Sequence, residues 1–370
     1  MHPRHIFILT LLIVLFTSHA LAQKATQPSL KETFKNDFLI GAAVNTLPIV
    51  GLDTAATKLV LQHFNAVTPE NMMKATYLHP EWDKYNFIIP DVLVSFAQRN
   101  NIKVNGHTLI WHSQLPEYVK NITSADSLRQ YMKDHITTIA GRYKGKVFSW
   151  DVVNEAIIGD GSLRKSIFRQ LLGDDYIIEA FKLAQQAAPD AELYYNDYNI
   201  EGLTKRRATI ALIKKIQAAG VRIDGVGIQG HWASDHVPLK DIEQSIQEFS
   251  ALGIKVMFTE LDLTVLPTPY RREVVDVSER LLPNTKETNP WPNSLPDLKQ
   301  TELAKSYAGL FSLFLKYKDK ISRITFWGVH DGQSWLNNFP IAGRVNYPLL
   351  FDRNYQPKPA FYSVIKTKDL

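Results

Sequence analysis

From residue 38 onward the chain repeats one rhythm: a short apolar run, a polar or aromatic cluster, then a stretch with helical periodicity. The apolar runs are 38–44, 64–67, 103–110, 147–153, 191–195, 225–228, 254–259 and 321–327. Several are apolar almost throughout, as parallel strands covered on both faces are. The fourth is less so, because Ser149 and Asp151 alternate into it. Between the runs, residues 125–142 place Leu128, Tyr131, Met132, His135, Ile136, Ile139 and Ala140 on one helical stripe. Ile242, Ile246, Phe249 and Leu252 repeat the pattern before a stop at Gly253, and Leu303, Tyr307, Leu310, Phe311, Phe314 and Leu315 mark a longer helix. Eight strand–helix units predict an α/β fold, a single (β/α)8 TIM barrel. A doubly wound open sheet is the alternative. It calls for a glycine-rich phosphate turn after the first strand, and Gly41-Ala42-Ala43 is not one.

The N-terminus stands apart from this rhythm. Arg4 precedes an eleven-residue run, 6–16, that is apolar except for Thr10, and Ala20-Leu21-Ala22 has the small-x-small form of a cleavage site. The run is short for a membrane span. Residues 1–22 are therefore expected to be a cleaved signal peptide, with a catalytic domain over 23–370, secreted or periplasmic and free of the membrane after cleavage. An uncleaved anchor is the alternative. A chain of 370 residues with no Cys has no disulfides, thiolate metal sites or cysteine nucleophile. Loss of the signal removes one cation, Arg4, and takes the formal charge from +5 to +4. The cations are scattered, so no nucleic-acid partner is expected. Residues 267–297, rich in Pro, Asn and charge, form a long irregular stretch with a short helix expected over 276–282.

In barrels of this class the active site lies at the C-terminal ends of the strands. Those positions carry Asn45, Glu70-Asn71, His107 with Trp111 and His112, Asn154-Glu155, Asn196-Asp197-Tyr198, Gln229 with His231 and Trp232, Glu260 with Asp262, and Trp327 with His330. A rim that merely met water would favour Lys, Ser and exposed Glu. Trp150 to Glu155 ends the fourth run and Phe258 to Asp262 the seventh, so Glu155 and Glu260 are 105 positions, or three barrel units, apart. The fourth and seventh strands face each other across a barrel mouth, where two carboxylates can converge. Glycosidic cleavage needs such a pair. Neither a His-Glu-x-x-His ligand set nor a Gly-x-Ser-x-Gly elbow occurs, so no metal and no cofactor is expected.

The motifs resemble those of glycoside hydrolase family ten, the barrel endo-β-1,4-xylanases, from about residue 34 to 366. They are Thr68 to Lys74, Gly106 to His112, Trp150 to Ala156, Tyr195 to Asn199, Gly227 to His231, Phe258 to Asp262 and Thr325 to Gly328, in that order. The resemblance implies retaining hydrolysis of xylan by double displacement, with Glu260 as nucleophile, Glu155 as acid/base and the carboxyl groups roughly 5–5.5 Å apart. It further implies that Asn154 binds the sugar 2-hydroxyl and that His231 with Asp262 keeps the nucleophile ionised and oriented. Glu70, Asn71, Lys74, His107, Trp111 and Gln114 would line the glycone side. Trp327 and Trp335 would wall the subsite nearest cleavage, with Tyr198 and Gln229 completing the platform. Trp82 and Trp291 read as packing or surface residues. Expected partners are β-1,4-xylan and xylo-oligosaccharides, bound by a monomer. A retaining β-1,4-glucanase, or mixed xylanase and glucanase activity, is the alternative on the same scaffold, and a non-catalytic glycan-binding barrel is a further one.

Overall fold

The computed structural model describes residues 28–267 and 283–369. The signal-peptide expectation and the helix expected over 276–282 lie outside those residues. Nine strands occur among them: β1 Leu39–Val44, β2 Ala66–Pro69, β3 Lys103–Trp111, β4 Ser149–Asn154, β5 Glu192–Asp197, β6 Gly225–Ile228, β7 His231–Ala233, β8 Lys255–Thr264 and β9 Ile321–Phe326. Neighbours from β1 to β6 pair in sequence order, β1 also pairs with β9, β9 with β8 and β8 with β6. Every pairing is parallel. Eight strands thus close into a barrel with helices between them, as the alternation of apolar runs and helical stripes requires.

The ninth strand, β7, was not expected. It runs alongside the extended end of β8 and puts His231 opposite Asp262. Gly230 makes the turn into it with φ of +84°, a conformation that costs glycine little. The apolar run 254–259 understates β8, which continues to Thr264 because Leu261 and Leu263 remain buried beyond Glu260. Conversely, Phe64, Val147 and Ala191 are buried residues just ahead of their strands. Apolarity reports burial, and the turn feeding a barrel strand is buried too.

The stripe over the Ala125–Arg142 helix is buried at all seven expected positions, and Ser124 caps its start through the Ser127 N–H. The last helix of the pattern spans Asp297–Lys316; within it Leu315 is only half-buried. Inside the barrel, Ser149 and Asp151 belong to a polar ladder. Arg323 donates to Ser149 at 3.1 Å, Ser149 to the side-chain oxygen of Asn105 at 2.6 Å, and the Asn105 side-chain NH2 to Asp151 at 3.0 Å. Asp151 in turn fixes His107 at 2.9 Å, so the alternation that weakened the fourth apolar run carries support to the barrel mouth.

Candidate active site

Glu155 and Glu260 both sit where a strand departs from regular geometry. Glu155 follows β4 with φ of +57°, and Glu260 lies where the β8–β9 register shifts between Phe258 and Leu261. Bulges and left-handed residues re-aim side chains that strand alternation would direct elsewhere. Each carboxylate then receives one donor per oxygen. Glu155 accepts from the Gln229 amide at 2.9 Å and from the Trp111 indole at 2.8 Å. Glu260 accepts from the Asn196 amide at 2.8 Å and lies 3.3 Å from His231 Nε2. His231 Nδ1 is 2.9 Å from Asp262, whose other oxygen takes the Trp335 indole N–H at 2.7 Å.

This chain of contacts sets the electrostatics. Burial alone would push His231 down, but the charge and hydrogen bond of Asp262, helped by Glu260, raise it to about 9. An imidazolium at neutral pH therefore faces Glu260. Burial also works to raise the Glu260 pKa. The His231 hydrogen bond, the attraction of His107 and His231, and the Asn196 amide outweigh it and hold Glu260 below the ordinary carboxylate value. Glu155 has two neutral donors and remains partly accessible, whereas Glu260 is buried. Two carboxylates in one cleft are thus held in different surroundings, the arrangement that separates acid and base roles.

The remaining expected residues are distributed around this pair. Asn154 is buried, and its side chain meets that of Asn196 at 2.9 Å. Lys74 is buried, donates to Asn71 at 3.0 Å and lies 5.0 Å from the centre of the Trp111 ring. Burial depresses Lys74, against the pull of Glu260, Glu70 and Glu155; burial likewise raises Glu70, opposed by Lys74 and Asn71. Gln114 adopts φ of +47°, and its carbonyl takes the Thr76 N–H at 3.1 Å, which joins the loops after β2 and β3. The Trp327 ring stands edge-on to His107 and His231. Trp335 leans on His231 and stacks on Phe339. Trp82 is exposed with its ring edge-on to Tyr118, and Trp291 is partly buried against the core, its backbone carbonyl taking the Tyr347 hydroxyl.

Two of the expected substrate contacts also brace Glu155. The amide of Gln229 and the indole N–H of Trp111 both go to Glu155. Further residues act at the site to which the sequence alone assigned no role. Asn196 joins Asn154, Glu260 and Thr259. Asp197 binds Lys205 at 2.7 Å and the Tyr195 hydroxyl at 2.5 Å, and takes the N–H groups of Tyr198 and Ile157. Arg164 reaches the Glu155 carbonyl. Asn196 and Asp197 stand in the strand-end run Asn196-Asp197-Tyr198, which was signal enough; Arg164 lies in a loop with none. Among the described residues no group of three or more His, Asp or Glu side chains is placed to hold a metal ion.

The model of glycosyl hydrolase family 10 matches residues 29–367. Endo-1,4-beta-xylanase A of Xylanibacter ruminicola is 43% identical over 360 residues, covering 96% of each chain. Beta-1,4-xylanase of Dictyoglomus thermophilum is 40% identical over 366 residues, covering 98% of each. A solved structure of a GH10 endoxylanase retrieved from a sugarcane soil metagenome superposes with a TM-score of 0.88 at 41% identity, covering 91% of this chain and 99% of that one. With the closed barrel, the paired glutamates at opposing strand ends and a match over nearly its whole length, the chain belongs to glycosyl hydrolase family 10.

Proposed function

We propose that this glycoside hydrolase is an endo-acting β-1,4-xylanase that retains anomeric configuration by double displacement. In the first step a carboxylate oxygen of Glu260 attacks the anomeric carbon, the glycosidic C–O bond breaks, and Glu155 gives its proton to the departing oxygen. In the second, Glu155 takes a proton from water, the water oxygen attacks the same carbon, and the bond to Glu260 breaks. The observation that carries the role assignment is the contrast in donors: an imidazolium raised to about 9 beside Glu260, and two neutral N–H groups on Glu155.

The supporting residues follow from the same contrast. Asp262 orients His231, and Asn154, beside Asn196, faces the sugar 2-hydroxyl. Glu70, Asn71, Lys74, His107 and Gln114 form the glycone wall, with Tyr198 as a platform beyond the cleavage point. Xylose lacks the exocyclic hydroxymethyl group of glucose, and Trp327 and Trp335, both set against the His231 ring, would make a wall suited to the smaller sugar. The relatives named as xylanases support this choice of polymer. Export through residues 1–22 and action as a soluble monomer complete the reading. Among the described residues no helix is long and apolar enough to cross a membrane.

Time-resolved product analysis on xylan, arabinoxylan and cellulose tests the proposal, with proton NMR following the first anomer released. A ladder of xylo-oligosaccharides released as β-anomers is expected. Release from cellulose at a comparable rate would mean mixed xylanase and glucanase activity, release from cellulose alone a glucanase, and α-anomers first would overturn retention.

A further inference from the structure

Glu155 is a non-glycine residue in the left-handed region, with φ of +57°. Such a conformation costs about 1–3 kcal/mol and persists only where its surroundings impose it. Both sides of the Glu155 peptide are held. Its N–H donates to the Asn196 carbonyl at 2.9 Å, and its carbonyl accepts from Nε of Arg164 at 3.0 Å. Arg164 is itself fixed, because its backbone N–H returns to the Ala156 carbonyl at 2.7 Å and closes the small hairpin in which Ile157 pairs with Leu163.

The same guanidinium has a second acceptor. Nη2 of Arg164 donates to the Tyr198 hydroxyl at 2.8 Å. The Tyr198 ring carries the Lys205 ammonium 3.9 Å from its centre, and Lys205 is paired with buried Asp197. One planar, fork-shaped cation therefore spans the backbone of Glu155 and a half-buried ring at the end of the next strand. Nothing in the two displacement steps needs a guanidinium there.

We propose that Arg164 is a positioning residue that locks the strained Glu155 peptide to the Tyr198 ring, so that a sugar resting on Tyr198 and the proton donor are held in one register. This rests on Glu155 being the acid/base. Displacing a reacting group by about 1 Å can cost on the order of 100-fold. Here the loss falls on proton delivery and leaves attack by Glu260 untouched, because no contact of Arg164 reaches Glu260. A lysine keeps the charge but cannot reach both acceptors.

The test compares kcat/KM, which reports the first displacement, on xylopentaose and on dinitrophenyl β-xylobioside, whose leaving group needs little protonation. Arg164→Met is expected to lose roughly 10-fold or more on xylopentaose and under about 3-fold on the aryl substrate. Arg164→Lys should fall between Arg164→Met and the parent on xylopentaose. Tyr198→Phe, which removes only the hydroxyl, should lose more on xylopentaose than on the aryl glycoside. Equal losses on both substrates, or none, in Arg164→Met and Arg164→Lys would overturn the role. Equal effects of Tyr198→Phe on both would sever the link to the ring. Should Arg164→Met not fold, Arg164→Lys and Tyr198→Phe decide the matter alone. Glu155→Ala, run alongside, separates the two ideas: if it too fails to discriminate between substrates, the acid/base assignment falls first.

Discussion

Asn196 and Gln229 brace the two glutamates reciprocally. The Asn196 carbonyl takes the Glu155 N–H at 2.9 Å while its side-chain amide reaches Glu260 at 2.8 Å. The Gln229 carbonyl takes the Glu260 N–H at 2.8 Å while its side-chain amide reaches Glu155 at 2.9 Å. Each peptide fixes the backbone of one carboxylate, and each side chain fixes an oxygen of the other. The backbone halves are barrel pairing and survive substitution; the side-chain halves depend on residue type.

Asn196→Ala and Gln229→Ala should therefore impair chemistry more than folding. A hydrogen bond to a charged group contributes about 1.5–3 kcal/mol, so kcat should fall roughly 10- to 100-fold with KM changed only a few-fold. Steady-state kinetics on xylo-oligosaccharides and thermal melts check this. A rise in KM at unchanged kcat would make these residues substrate contacts instead.

Removing the carboxylates themselves should separate their roles. Glu260→Ala is expected to abolish hydrolysis, by about 10⁴-fold or more, on every substrate. Glu155→Ala should spare aryl glycosides relative to xylan, because a good leaving group departs without a proton. Added azide, which needs no base, should then speed turnover of the aryl substrate and yield a β-glycosyl azide. Absence of that product by mass spectrometry would count against the assignment.

Much of this arrangement was legible in the chain, for a physical reason. Barrel strands are buried on both faces, so apolar runs located all eight, and the first polar residues after each run named Glu155, Glu260, His231 and Asp262. What escaped was whatever depends on pairing register and loop course. The strand His231–Ala233 is three residues long, too short for a periodic signal, and only its pairing with β8 sets His231 against Asp262. Trp335 was expected as a wall; that its indole terminates the chain Asp262, His231, Glu260 depends on the course of the loop after β9. A buried pair fixes that loop, with Lys358 donating to Asp331 at 2.9 Å and to two backbone carbonyls. That Gln229 and Trp111 also donate to Glu155 escaped for a similar reason, because an amide or indole at a strand end can serve a carboxylate or a sugar.

The His231 environment predicts two pH effects. Removing it by His231→Ala takes away a hydrogen bond and attractive charge that lower Glu260, so the acid limb of kcat/KM should move to higher pH. Stability should respond in the opposite range. His231 is raised from 6.5 to about 9 in the folded chain, so between those values the folded state holds a proton that the unfolded state has lost. Its contribution is complete below about pH 6.5 and disappears as pH rises through about 9. The stability difference between the parent and His231→Ala, read from denaturant midpoints, should shrink across that window; a constant difference would contradict the protonated state.

Gly227 tests the brace from a position that touches neither glutamate. A Cβ on Gly227 would lie 2.4 Å from the Asn196 side-chain oxygen and 2.7 Å from the Thr259 methyl, closer than any ordinary contact. Asn196 would have to turn away, abandoning Glu260 and the Thr259 hydroxyl that donates to it at 2.6 Å. Gly227→Ala is therefore expected to cost about 1–3 kcal/mol of stability as overpacking and at least as much activity as Asn196→Ala. In an Asn196→Ala background the same substitution meets no amide, so its further cost in kcat should be small. The Thr259 contact remains there, and some stability loss should persist. A double-mutant cycle measures the difference. Additive losses in kcat would mean that Gly227 acts on the site by some route other than Asn196.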